Sequence, residues 1–173
     1  MSISLISTVT VGAGGAASID FTSIPGTYTD LLLVFSTRPG STDTSWVQSL
    51  RFNGLTTNLS MRTLEGDGAT ATSGTNATRI DPINEGSNAT ANTFSNGQAY
   101  IPNYAGSTNK SVSIDSISET NATTAYQRLA AGLWSSTAAI TQVSLIAPTT
   151  YAQYSSASLY GITKGSSGGV TVA

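Results

Sequence analysis

The feature that most constrains this chain is a period of two. Ile3 and Leu5 alternate with serines, and Val9 and Val11 follow on the same odd register. Trp46, Gln48, Leu50 and Phe52 share a register, as do Val112 with Ile114 and Val143 with Leu145, and Ala157, Leu159 and Gly161 form a last run. Alternation of this kind puts one face of a strand against a core and the other toward solvent. The gaps are filled with hydroxyls and amides: about a third of the chain is Ser, Thr or Asn. Those residues compete with helical hydrogen bonding and suit sheets and turns. Residues 122–132 are the one place where Ala-rich spacing lets a helix compete, and Gly132 with its aromatic neighbours favours a strand there.

Turn signals punctuate the runs. Pro25-Gly26 and Arg38-Pro39-Gly40-Ser41 end segments, and Asn53-Gly54 is a tight-turn pair with Leu59 and Met61 continuing beyond it. Leu31 to Phe35 is continuously apolar, which predicts a central strand buried on both faces. Pro102 within 99–104 predicts an edge strand or a bulge. Ile117 falls out of step with Val112 and Ile114 and predicts another bulge. Residues 66–97 are rich in small polar residues, with Ile80, Ile83 and Phe94 as the sizeable apolar anchors. They read as a long surface loop or a pair of weak hairpins, a class of segment that often carries function. The expectation is an all-β fold, an antiparallel β-sandwich or jelly-roll-like domain of about eight to ten strands. Residues 1–18 form an N-terminal arm or first strand, 19–163 the sandwich, and 164–173 a Gly/Ser-rich tail.

The chemistry-bearing residues are sparse. The chain of 173 residues has no histidine and no cysteine, and 9% of it is charged. A Ser-His-Asp triad is therefore impossible, and Lys110 and Lys164, the candidates for a Ser-Lys pair, sit beside Ser or Gly in expected loops. No phosphate-binding Gly motif follows a strand. Glu65 and Asp67 are the closest carboxylate pair, with too few neighbouring oxygen ligands for a calcium loop. Asp81 and Glu85 read as solvated loop residues, and Asp20, Asp30 and Asp115 as outward charges that guard against edge association. No cofactor and no metal are expected, and no enzymatic activity.

Seven scattered cations against nine acids give a net charge of −2. That leaves no basic patch for nucleic acid, whose binding depends on clustered Lys and Arg. Met1-Ser-Ile-Ser-Leu has no cationic start, and no apolar run reaches membrane-spanning length, so no signal peptide and no membrane partner are expected. The sequons at Asn58, Asn76, Asn88, Asn109 and Asn121 then read as chance in an Asn/Ser/Thr-rich chain. Trp46, Trp134 and the tyrosines at 100, 104, 126, 151, 154 and 160 read as core or interface residues, with a sugar-binding platform as the alternative.

An ordered set of segments carries a resemblance: Ser23-Ile-Pro-Gly-Thr-Tyr-Thr-Asp-Leu-Leu-Leu33, Leu50-Arg-Phe-Asn-Gly54, Asn58-Leu-Ser60, Ala91-Asn-Thr-Phe94, Tyr100-Ile-Pro-Asn-Tyr104, Asn109-Lys-Ser111, Gly132-Leu-Trp134, Ala139-Ile-Thr141 and Tyr154 to Ile162. Together they resemble a group of tailed-bacteriophage virion structural proteins of aquatic phages: capsid decoration (cement) proteins, head fibres and tail-fibre-like proteins. The resemblance spans about residues 19–162. It implies a β-rich, non-enzymatic particle component and a homotrimer. It further implies a place on the outer surface of the phage head, manufacture in the host cytoplasm, and the major capsid protein as partner. The short N-terminal segment argues against a fibre shaft. Ile3, Leu5 and Val9 are then the candidates for docking to the capsid, by adding a strand to one of its sheets. The alternative is a receptor-binding module that reads host glycans through residues 66–97 and the tyrosines.

Overall fold

A computed structural model describes residues 1–40, 47–84, 89–119 and 125–164. Among them are eleven strands and no helix: β1 (Ser2–Thr10), β2 (Ala16–Phe21), β3 (Asp30–Thr37), β4 (Ser49–Phe52), β5 (Leu59–Gly66), β6 (Ala71–Asn76), β7 (Ser95–Pro102), β8 (Lys110–Ser118), β9 (Tyr126–Trp134), β10 (Val143–Tyr151) and β11 (Ser156–Thr163). Every pairing is antiparallel. The strands form two very unequal sheets. One has eight strands in the order β1-β11-β3-β7-β8-β9-β5-β6, and the other has three, β2-β10-β4. The fold is a lopsided antiparallel sandwich.

One apolar core lies between the sheets. Leu31, Leu33 and Phe35 of β3, Ala99 and Ile101 of β7, Val112 and Ile114 of β8 and Leu159 of β11 meet Ile19, Phe21, Leu50, Phe52, Val143 and Leu145 of the small sheet. Across the gap the Phe52 and Trp134 rings sit 5.7 Å apart, tilted by 41°, a favoured aromatic arrangement. Three strands cannot cover eight, and part of the deficit is met by residues 77–84. This segment runs beside β4, bridging Leu50 to Ile80 and Val47 to Ile83. The Leu50 amide donates to the Ile80 carbonyl at 2.8 Å. Ile80 fills the space above Gly132, where a Cβ would come within 3.0 Å of it.

Several expectations change against this frame. Residues 66–97 are not one loop: β5 and β6 make a hairpin, and 77–84 is buried cover carrying Ile80, Asp81 and Ile83. Residues 85–88 of that stretch, Glu85 and Asn88 among them, lie outside the described residues. Pro102 is neither on an edge strand nor in a bulge. β7 is interior, and Pro102 is its last residue, beyond the β7–β8 ladder that ends at Tyr100, so its missing N–H costs that ladder nothing. Ile117 marks no bulge either: β8 keeps one register with both neighbours, and Ile117 is on the opposite face from Val112 and Ile114. Asn53 and Gly54 both take positive φ, 52° and 69°, as a primed tight turn requires, but the strand beyond it enters the other sheet. The competing helix at 122–132 is not formed in its described part, since β9 starts at Tyr126.

Residues 1–18 hold β1, paired along its length with β11, and the start of β2. Of the tail, Lys164 is described and 165–173 lie outside the described residues, as do Trp46 and Asn121.

Candidate interaction surface

The predicted burial of Leu31 to Phe35 on both faces is half right. Leu31, Leu33 and Phe35 are buried, Leu32 is partly exposed and Val34 is 40% exposed. The outward face of the eight-stranded sheet has no covering layer among the described residues. Of the eight exposed large apolar side chains among the described residues, five lie on it: Ile3 (54%), Leu5 (56%), Val34 (40%), Leu64 (54%) and Leu129 (49%). Single exposed apolar residues are ordinary, but a group on one flat face marks an interaction surface.

The ladder register lays this face out in rows. One row reads Leu5, Tyr160, Leu32, Tyr100, Ser113, Ala131, Arg62, Thr75 from β1 to β6; the next reads Thr8, Ser158, Val34, Gln98, Asp115, Leu129, Leu64, Ser73. In the second row Val34 on one side and Leu129 and Leu64 on the other flank a polar strip of Gln98 and Asp115; in the first the apolar side chains gather on one flank, from Leu5 to Tyr100. In that strip Asp115 Oδ1 is enclosed and has no hydrogen-bond donor among the described residues. A buried acceptor without a donor is costly. Gly97, under the strip, is forced by packing. A Cβ there would lie 2.6 Å from the Asp115 carbonyl oxygen, 2.6 Å from Phe35 Cζ and 2.8 Å from Ser116 Cβ.

At one end of the same face Asp30 is fully enclosed. The Tyr100 hydroxyl donates to Oδ2 at 2.6 Å, the Asn103 amide donates to Oδ1 at 3.0 Å, and Lys164 Nζ sits 3.0 Å from Oδ2. Burial pushes this carboxyl up. The hydrogen bonds from Tyr100 and Asn103 and the Lys164 charge outweigh it, so the net shift is downward.

Ile3, Leu5 and Val9 do not act as one set. A register shift between Leu5 and Ser7 breaks the odd alternation, so Ile3 and Leu5 point outward with Ile162 and Tyr160, while Val9 pairs with Ala157 and packs on the core. An alternation read from sequence alone cannot register such a bulge. β1 is nonetheless an edge strand with its second side open.

The other expected site residues are dispersed. Glu65 accepts from Arg128 Nε at 2.6 Å, whereas Asp67 accepts from the amides of Ala69 and Thr70 and closes the β5–β6 turn. Asp81 is buried rather than solvated, taking a hydrogen bond from Ser49 Oγ at 3.0 Å and an ion pair with Arg79 at 3.2 Å; burial still pushes its carboxyl up. Only Asp20 of the three proposed guard residues is on an edge strand; Asp30 and Asp115 are on interior ones. Lys110 opens β8, buried, with its ammonium donating to the carbonyls of Gly106 and Thr108. Trp134, Tyr104 and Tyr151 are core, and the Tyr151 hydroxyl donates to Gln48 Oε1 at 2.6 Å. Tyr154 is 70% exposed in a left-handed conformation, φ 73°, at the β10–β11 turn.

A separate pocket of about 230 Å³ opens beside β4, lined by Ser49, Arg51, Thr56, Thr78 and Arg79 among others. Sequence reading did not find it, because Arg51 and Arg79 come together only when 77–84 docks along β4. Among the described residues no three acids group as a metal site. No helix among the described residues is long and apolar enough to cross a membrane. No family model matches the chain, and no curated protein or solved structure matches it.

Proposed function

We propose that this chain is a non-enzymatic structural subunit of a tailed-bacteriophage particle, a decoration (cement) protein that binds the major capsid protein on the outside of the assembled head. The observation that supports this reading is the uncovered face of the eight-stranded sheet. A domain that puts eight strands against three and leaves Leu5, Val34, Leu64 and Leu129 in solvent has surface built for contact with other chains. The resemblance set out above supplies the kind of particle. Binding only the assembled shell stabilises it by mass action, and many copies turn modest contacts into a large total effect. The hydroxyl-rich remainder of the surface keeps such a particle soluble.

Immunogold labelling of intact virions with antibody to this chain tests the proposal. Label over the head is expected. Label confined to the tail tip, or none on the particle, overturns it.

The second reading, a module that binds host-surface glycans, is favoured by the pocket beside β4. Arg51 and Arg79 line it together with Ser49, Thr56 and Thr78, residue types suited to an acidic sugar, although Arg79 and Ser49 also engage Asp81. Arg51→Ala with Arg79→Ala would abolish binding to cells on that reading and leave particle attachment unchanged on the first.

A further inference from the structure

A two-fold axis laid on the outward face of the large sheet brings several complementary side chains together, although it sets Leu64 opposite Ser158 and Leu5 opposite Thr75. The axis that reveals this runs parallel to the strands between β7 and β8. In each row it exchanges a residue on the β1 side with one on the β6 side. In the second row it sets Gln98 opposite Asp115 and Val34 opposite Leu129. In the first row it sets Tyr160 opposite Arg62.

Each of these matches is chemically apt. Gln98 is exposed and carries an amide donor, and half-buried Asp115 carries a carboxylate acceptor. Val34 and Leu129 are both about half exposed. Arg62 is exposed, and a guanidinium over a tyrosine ring is a favourable pair. An isologous contact makes every such match twice.

We infer that a second copy of this chain covers the outward face of the eight-stranded sheet, in an isologous two-fold pair with Val34 of each copy against Leu129 of the other. The pairing is ordinary sheet-on-sheet packing, with the two faces ~10 Å apart. The available area agrees. Eight strands span ~34 Å and eight residues of strand ~26 Å, or ~900 Å² per copy, against the ~800 Å² per partner of a standard stable interface. The resemblance implies a three-fold ring. A ring contact is heterologous, so it does not make the reciprocal match of Gln98 with Asp115 twice over. A capsid strand added at the β1 edge would leave Val34 and Leu129 bare. The inference rests on the reading of this face as a contact surface in the proposed function and names a second copy as its occupant.

The chain has no cysteine, so introduced thiols report cleanly. The double variant Val34→Cys/Leu129→Cys, purified and treated with a short bismaleimide, tests the geometry. The reagent should match the ~10 Å between packed sheets and fall short of the ~14 Å that three strand spacings set between these positions within one chain. Both sites are exposed, so the fold tolerates the change. The expected product is a covalent dimer that goes no further, and the untreated wild-type chain should sediment at twice its 17.7 kDa mass. The two single variants, each treated alone, should stay uncross-linked, and their mixture should cross-link. A covalent trimer or ladder, cross-linking of either single variant alone, a double variant left uncross-linked, or a wild-type monomer overturns the two-fold pair. A monomer whose antibody still labels the phage head would overturn this inference and leave the proposed function standing. A dimer absent from the particle would do the reverse.

Discussion

Leu33 and Val34 are neighbours in β3, yet they lie in different environments. Leu33 is fully buried between the two sheets, and Val34 is 40% exposed on the outward face. The difference is not in the strand, which is apolar on both sides, but in what lies above each face. The inward face has the small sheet and residues 77–84 as its cover, and the outward face has nothing from the described chain. A face that is apolar without a cover is either an error of design or an interface.

The sharpest way to break the comparison is to truncate on either side of the same strand. Leu33→Ala should cost about 2–5 kcal/mol of unfolding free energy in denaturant titration, because it opens a cavity in close-packed surroundings. A loss under 1 kcal/mol would show that the small sheet does not hold the core tightly.

Next comes Gly97→Ala, a single methyl pressed against Phe35 and the β8 backbone beneath the polar strip. About 1–3 kcal/mol is expected from overpacking, read from the same titration. Because the strip must shift to make room, association should weaken as well.

Asp30→Asn sharpens the contrast from the polar side. Its carboxyl is held below its ordinary value, so the native state binds fewer protons there than the unfolded chain does. The stability it contributes is full above the unfolded carboxyl value of about 3.9 and is lost as pH falls through the lowered native value. The wild type should therefore lose stability on acidification below about pH 4 more steeply than Asp30→Asn, by thermal melts across pH. At neutral pH the variant should be the weaker by about 1–3 kcal/mol. Equal acid slopes would remove Asp30 from the account.

The smallest effect belongs to Val34→Ala. At high dilution its melting point should match the wild type, a change of about 0.5 kcal/mol or less, as for most exposed sites. At high concentration it should fall behind, because a partner that binds only the folded state raises stability with concentration. The same small deficit at every concentration would make Val34 an ordinary surface residue.

Much of the fold was legible in the sequence. β3, β8, β10 and β11 sit where alternation or an apolar run placed them, since period two is a local property of the strand. The Asn53-Gly54 turn was equally legible, because positive φ at two successive residues selects those types. What was missed is non-local. Residues 77–84 carry few apolar side chains and no alternation, and they became cover only because β4 and Gly132 leave room for Ile80. Asp30 and Asp81 read as surface charges because their enclosing partners come from segments far along the chain: Tyr100 and Lys164 for one, Ser49 for the other.

The candidate surface divides the same way. The sequence by itself determined that Ile3, Leu5, Val34 and Leu129 belong to strands, and that a chain without histidine or cysteine builds surfaces more readily than active sites. It could not say which side of each strand faces inward. A bulge at Leu5–Ser7 separated Val9 from its expected companions, and the division of eleven strands into eight and three left one face of the larger sheet open. Alternation is short-ranged, whereas the cover of a sheet is set by which distant strands pair, so only the tertiary structure decided which apolar residues became core and which became interface.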